Sequence, residues 1–115
     1  MENKTLKMTL EVLEDKMAKE INVIDFQREN PFTDYFVVCE ATNERQIEAI
    51  ANGLVQLGRK GLTEVRAVDG KAHTGWIAID MYDVVVHIFA KESREEFALD
   101  KLFAKYPQQK IGADV

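Results

Sequence analysis

The stretch GWIAIDMYDVVVHIFA, residues 75–90, constrains the fold more than any other part of the chain, because its apolar residues fall into a period of two. Folded as an antiparallel hairpin turning at Met81 and Tyr82, it faces Ile77 with Val86 and Ile79 with Val84 on one side, all apolar. The other side sets Trp76 against His87, Ala78 against Val85 and Asp80 against Asp83. Directly opposed like charges destabilise a hairpin, and Met-Tyr is a weaker turn than Asn-Gly or Asp-Gly. One side therefore has the composition of a core. The other has that of a surface made to meet something outside the fold, the plain alternative being the half-covered side of a sheet.

A chain of 115 residues suits a single domain, 1–115, which buries roughly two thirds of its unfolded surface without disulfides or metals. No apolar run approaches the roughly 18 residues of a membrane span, so no membrane partner is expected. The opening MENKTLKMTLEVLEDK has no uninterrupted apolar stretch and does not read as a secretory signal. Cys39, the only cysteine, sits inside YFVVC and excludes an intramolecular disulfide, so the expected compartment is the cytoplasm. With 15 basic against 20 acidic residues the net charge is −5, the wrong sign for wrapping a phosphate backbone. Little or no direct nucleic-acid binding is expected, and a basic protein surface is the natural complement.

Leu6, Leu10, Leu13 and Met17 recur at helical spacing and predict an amphipathic helix over about 4–20. INVIDF at 21–26 and DYFVVCEA at 34–41 read as strands separated by a loop at Asn30-Pro31. Asn43 with Gln46 forms a capping box for a second helix whose stripe is Ile47, Ile50, Ala51, Leu54 and Leu57, ended by Gly58 or Gly61. TEVRAVD at 63–69 reads as a short strand, followed by a turn opened by Asp69-Gly70 and then the hairpin. Ser93 with Glu96 predicts a capping box for a last helix lined by Leu99, Leu102, Phe103 and Tyr106 as far as Pro107, with 107–115 a frayed tail. The order implies an α/β fold of α+β type, a mixed five-stranded sheet with three helices packed on it.

The residue types that could carry chemistry are Asp34, Asp69, Asp80, Asp83, His73 and His87. Two carboxylates on one sheet face can hold a divalent metal for nucleotidyl transfer. Yet no glycine-rich phosphate loop of the Walker or dinucleotide type is present, and the two histidines lack zinc-ligand spacing. No cofactor, metal or catalytic residue is therefore expected. Cys39 lies beside Phe36, Val37 and Val38 and reads as a packed small residue instead of a nucleophile, and His87 as a satisfied sheet histidine. The residues Trp76, Asp80, Met81, Tyr82 and Asp83 fit an interaction surface more economically, since Trp and Tyr are enriched where truncation costs roughly 2 kcal/mol or more.

The segments FTDYFVVCEATNERQ at 32–46, DG at 69–70 and GWIAIDMYDVVVHIFAKESREEFALDKLF at 75–103 together resemble the ribosomal silencing factor (RsfS, or Iojap) family over about residues 5–106. The specific elements are TDYFV, the Arg45-Gln46 pair, the Trp followed by D-x-x-D-V-V-V-H, and the R-x-x-F-x-L-D-K-L-F end. The resemblance implies a nucleotidyltransferase-like αβ core without the catalytic set. It also implies a protein that binds the large ribosomal subunit at its fourteenth protein and sterically blocks the small subunit, often a homodimer when free; organelle relatives assist large-subunit assembly. Carried over by position, Trp76, Asp80, Met81, Tyr82 and Asp83 are the expected partner surface, flanked by His73, while Asp34, Tyr35, Arg45 and His87 shape it from within. Ala41, Asp69 and Phe103 stand where the family usually has Gly, Glu and Trp. Two rivals to ribosome silencing are a metal-dependent nucleotidyltransferase and a homodimeric scaffold that buries Trp76 between subunits.

Overall fold

Asn3 opens the first helix, its side chain accepting from the Leu6 N–H at 3.0 Å, in the computed structural model, which describes residues 3–112. This helix, α1, spans Lys4–Asp15 and buries Leu6, Thr9 and Leu13. It stops five residues earlier than its apolar spacing implies. Met17 takes a left-handed φ of 61° and is 74% exposed, and the Ala18 N–H bonds Leu13 O at 2.9 Å, turning the chain into β1 at Lys19–Asp25. After β2, Tyr35–Ala41, Asn43 caps α2, Glu44–Arg59, by accepting from the Gln46 N–H at 2.9 Å. In turn Gln46 Oε1 accepts from the Thr42 N–H, and its Nε2 donates to Lys16 O and Met17 O, tying the start of α2 to the end of α1. Gly61, at φ 75°, follows the end of α2.

The strands that follow are β3 at Ala67–Lys71, β4 at Trp76–Asp80 and β5 at Val84–Ala90. Asp69-Gly70 does not open a turn; both residues lie within β3, and a 3₁₀ turn over Ala72–Thr74 makes the reversal. Gly70 is needed there for close approach: a Cβ at this position would lie 2.3 Å from Trp76 O, and its φ is 91°. In the β4–β5 hairpin, Trp76 faces Phe89, Ile77 faces Ile88, Ala78 faces His87, Ile79 faces Val86 and Asp80 faces Val85. That register is two residues away from the one read in the sequence. Because side chains alternate with period two, the slip moves each pair along the ladder without changing its face. It also separates Asp80 from Asp83, removing the opposed charges.

The sheet has six strands among the described residues, in the order β3-β4-β5-β2-β1-β6, with β2 and β5 its parallel pair. The additional strand, β6 at Gln108–Ile111, lies in what the sequence presents as a frayed tail; residues 113–115 fall outside the described part. β6 pairs antiparallel with β1, and Gln108 accepts from Asn22 Nδ2 at 2.9 Å. The last helix also differs from expectation. It divides into α3, Lys91–Phe97, and α4, Leu99–Leu102, at Ala98, whose φ is 50°, and α3 starts at Lys91 without a side-chain cap from Ser93.

Helices α1 and α2 cover one face of the sheet, where Leu6, Leu13, Ile47, Ile50 and Leu54 pack on Val37, Cys39, Ile77, Ile79, Val84, Val86 and Ile88. Burial pushes the Cys39 thiol up to about 12, so it is a packed, unreactive group. On the other face Ile24, Phe26, Val38, Phe89 and Leu99 form a second, smaller core. Phe26 anchors it by edge-to-face contacts with Phe36, Phe103 and Tyr106, with ring centroids 5.0, 5.2 and 5.0 Å away.

Candidate functional site

The second face is covered at one side only. Trp76, Ala78 and Asp80 of β4 stand beside Phe89, His87 and Val85 of β5, and Val85 and His87 stand beside Phe36 and Val38 of β2. Within this array Phe89 and Val38 are fully buried, whereas Trp76, Ala78, Asp80, Val85 and Phe36 remain half-buried. The result is an open strip along β4 and β5, aromatic at the Trp76 end and acidic at the Asp80 end.

Trp76 is held from two sides. Its ring lies 4.9 Å from Phe89 and 4.6 Å from Phe97, and its Nε1–H donates to His87 Nδ1 at 3.1 Å. Phe97, at the end of α3, is 46% exposed and is a member of this surface that the sequence pattern does not single out. Asp69, Gly70, Thr74, Trp76, Ala78 and Phe97 line a hollow of about 290 Å³.

The bond from Trp76 fixes the neutral tautomer of His87, with the proton on Nε2, and that buried Nε2 has no hydrogen-bond partner among the described residues. Burial lowers the imidazole to about 4 from its usual 6.5. Above pH 6.5 both folded and unfolded chains carry His87 neutral and its contribution is complete. As pH falls from 6.5 towards 4 only the unfolded chain gains the proton, so stability is lost across that window. We expect about 2 kcal/mol less stability at pH 5 than at pH 7 from this group. Urea midpoints at the two pH values will measure it, and His87→Phe should flatten the difference; an undiminished dependence in that variant would assign it to carboxylates instead.

At the other end, Asp80 is not a free carboxylate. Oδ2 accepts from Arg66 Nη2 at 2.7 Å and from Arg66 Nε at 3.0 Å, and Oδ1 accepts from the Tyr82 N–H at 3.0 Å. Tyr82 and Asp83 form the exposed tip between β4 and β5. Asp83 O accepts from the N–H groups of Asp34 and Tyr35, both at 3.0 Å, which joins the tip to the start of β2. Burial and then the charges of Asp25 and Asp34 push the Tyr35 hydroxyl above its usual range.

The structure thus brings Trp76 and Asp80 onto one face, with Tyr82 and Asp83 at its end. His73 is exposed in the turn just before Trp76. Met81 does not belong with them: it is 2% exposed, points into the helix-side core and accepts a bond from Thr9 Oγ1 at 3.8 Å. Its place in a strand-to-tip segment gives it the opposite facing from Asp80, and the buried side takes it. Arg45 is exposed at the start of α2, away from the strip. Among the described residues no three His, Cys, Asp or Glu side chains converge as a metal ion requires, and no helix is long and apolar enough to cross a membrane.

Fold and face together define an α/β protein whose mixed sheet is covered by α1 and α2 on one face and, beside α3 and α4, leaves an aromatic and acidic strip open on the other. The chain belongs to the ribosomal silencing factor family: the family model described as "Ribosomal silencing factor during starvation" matches residues 1–114. It is 30% identical over 102 residues to the ribosomal silencing factor RsfS of Bacillus subtilis, covering 89% of this chain and 86% of that one. It is also 30% identical to the mouse protein named "Mitochondrial assembly of ribosomal large subunit protein 1", over 84% of this chain and 43% of the mouse one. A crystal structure of a Bacillus halodurans protein superposes with a TM-score of 0.78 at 28% identity, covering 92% of this chain and 96% of that one.

Proposed function

We propose that this protein binds the large ribosomal subunit through its fourteenth protein and, by occupying that surface, keeps the small subunit from joining, without itself catalysing a reaction. The observation that carries this reading is the open strip of β4 and β5, where a half-buried Trp76 braced by Phe89 and Phe97 runs on to an acidic tip. Family membership supports it, and so does the charge: a chain of net charge −5 suits a basic ribosomal protein better than bare rRNA. The protein acts as one cytoplasmic domain that pairs with itself when free. The name of the mouse relative favours a second reading, a factor for large-subunit assembly.

Sucrose-gradient sedimentation separates these readings. Purified protein added to mature large subunits is expected to travel with them and to reduce the fraction that joins when small subunits follow. Co-sedimentation only with immature large-subunit particles would favour assembly. Protein left at the top of the gradient in every case would overturn both.

A further inference from the structure

We infer that Arg66 is a positioning residue for the β4–β5 tip: it locks Asp80 and stacks over Tyr82, presenting that ring and the Asp83 carboxylate as a preformed contact for a basic protein surface. This rests on the reading that the tip meets a ribosomal protein.

The first observation is strain. Tyr82 has a φ of 68°, a left-handed conformation that glycine adopts freely and that a side chain with a Cβ resists. A bulky aromatic held there persists only where its surroundings over-determine it, and such residues cluster at functional sites. Burial does not explain its presence, because Tyr82 is 42% exposed. The second observation is the bracing. The Arg66 guanidinium sits 4.8 Å from the centre of the Tyr82 ring while its Nε and Nη2 grip Asp80 Oδ2, and the Tyr82 N–H is held by Asp80 Oδ1. Backbone joins in, with the Arg66 N–H bonded to Asp80 O at 2.8 Å.

One cation therefore satisfies the strand-end carboxylate and fixes the aromatic ring above it. A flexible tyrosine would lose side-chain freedom on binding; one already stacked loses less. With Asp80 neutralised by its own chain, Asp83, exposed and free of a cationic partner among the described residues, is the tip's carboxylate for a partner's Lys or Arg.

The test compares Tyr82→Gly, Arg66→Ala and the double variant for melting temperature and for affinity to purified large subunits. Tyr82→Gly is expected to melt at the wild-type temperature or up to about 4 °C higher as the strained backbone relaxes, yet to bind about tenfold more weakly. Arg66→Ala should weaken binding about fivefold and the double variant no more than Tyr82→Gly alone, because a residue that acts through the ring has nothing left to position. Wild-type binding by Tyr82→Gly, or a melting temperature several degrees lower, would overturn the inference by making the ring idle or structural. Additive losses would make Arg66 a direct contact and overturn it equally. If wild-type protein itself fails to bind large subunits, the functional reading falls and takes this inference with it.

Discussion

Arg94→Ala is expected to lower the stability of the folded chain by about 3 kcal/mol, the largest effect of any single change outside the apolar core. Arg94 looks like a solvated residue at the start of a charged helix, but its side chain is 11% exposed. Its guanidinium, carried on α3, joins two strands, β1 and β2, and the helix α4. Nη1 donates to Glu20 O at 2.6 Å and Glu40 Oε2 at 3.2 Å, and Nε and Nη2 fork onto Asp100 at 3.2 and 2.9 Å. Asp100 in turn accepts from Asn22 Nδ2 at 2.8 Å, and the same Asn22 amide reaches Gln108 of β6. Burial alone would raise the Asp100 carboxyl, but the bonds from Arg94 and Asn22 outweigh it and hold the group below the usual carboxylate range.

Removing Arg94 strands Glu40 and Asp100 without their cation, half-buried against the second core, which is why the cost exceeds that of a surface ion pair. Urea unfolding at pH 7 will measure it. Arg94→Lys should recover less than half of the loss, since an ammonium cannot bond Asp100 in a fork while reaching Glu20 O. A loss below about 1 kcal/mol for Arg94→Ala would demote the cluster to ordinary surface pairing.

That cluster shows where the sequence falls silent. Glu20, Asn22, Glu40, Arg94, Asp100 and Gln108 are scattered over almost ninety positions, and nothing in their local pattern announces that they meet; only the sheet order β5-β2-β1-β6 assembles them. β6 is hidden for a related reason. Three of its four residues are exposed, so QQKI shows no alternation of apolar and polar groups, and its strand character comes from pairing with β1 and from Gln108 bonding to Asp100 O and Phe103 O. The break at Ala98 is likewise tertiary: it turns Leu99 onto the second core and Asp100 towards Arg94.

What was legible was the part set by periodicity. The two faces of the hairpin are right although its register was two residues off, because the pleat tolerates an even slip. Leu6 and Leu13 of α1, the Ile47, Ile50, Ala51 and Leu54 stripe of α2 and the Asn43 cap follow from spacing alone, whereas Met17, of the same spacing as Leu6 and Leu13, lies exposed beyond the end of α1. At the candidate site, Trp76, Asp80, Tyr82 and Asp83 could be singled out by residue type. Arg66, fourteen residues before Asp80, and Phe97, beyond the hairpin, could not, because each reaches the site through a neighbouring element.

Trp76→Ala should separate binding from folding. The ring is half-buried against Phe89 and Phe97, so truncation is expected to cost about 2 kcal/mol of stability, less than the roughly 3–5 kcal/mol of a fully buried aromatic. Small domains commonly have about 5–15 kcal/mol in hand, so the variant remains folded at 25 °C. Binding to large subunits should fall about thirtyfold or more, the equivalent of about 2 kcal/mol, as for an aromatic anchor at the centre of an interface. Gradient co-sedimentation gives the binding loss, and far-ultraviolet circular dichroism with a urea midpoint gives the fold. Trp76→Phe guards against a variant that simply collapses: it keeps the stacking on Phe89 and Phe97 but leaves His87 Nδ1 without its donor, at about 1 kcal/mol. If Trp76→Phe binds as wild type does, the face needs an aromatic and not the indole. If Trp76→Ala stays folded and binds undiminished, the strip is not the ribosome-binding surface, and the acidic tip alone would have to carry the contact.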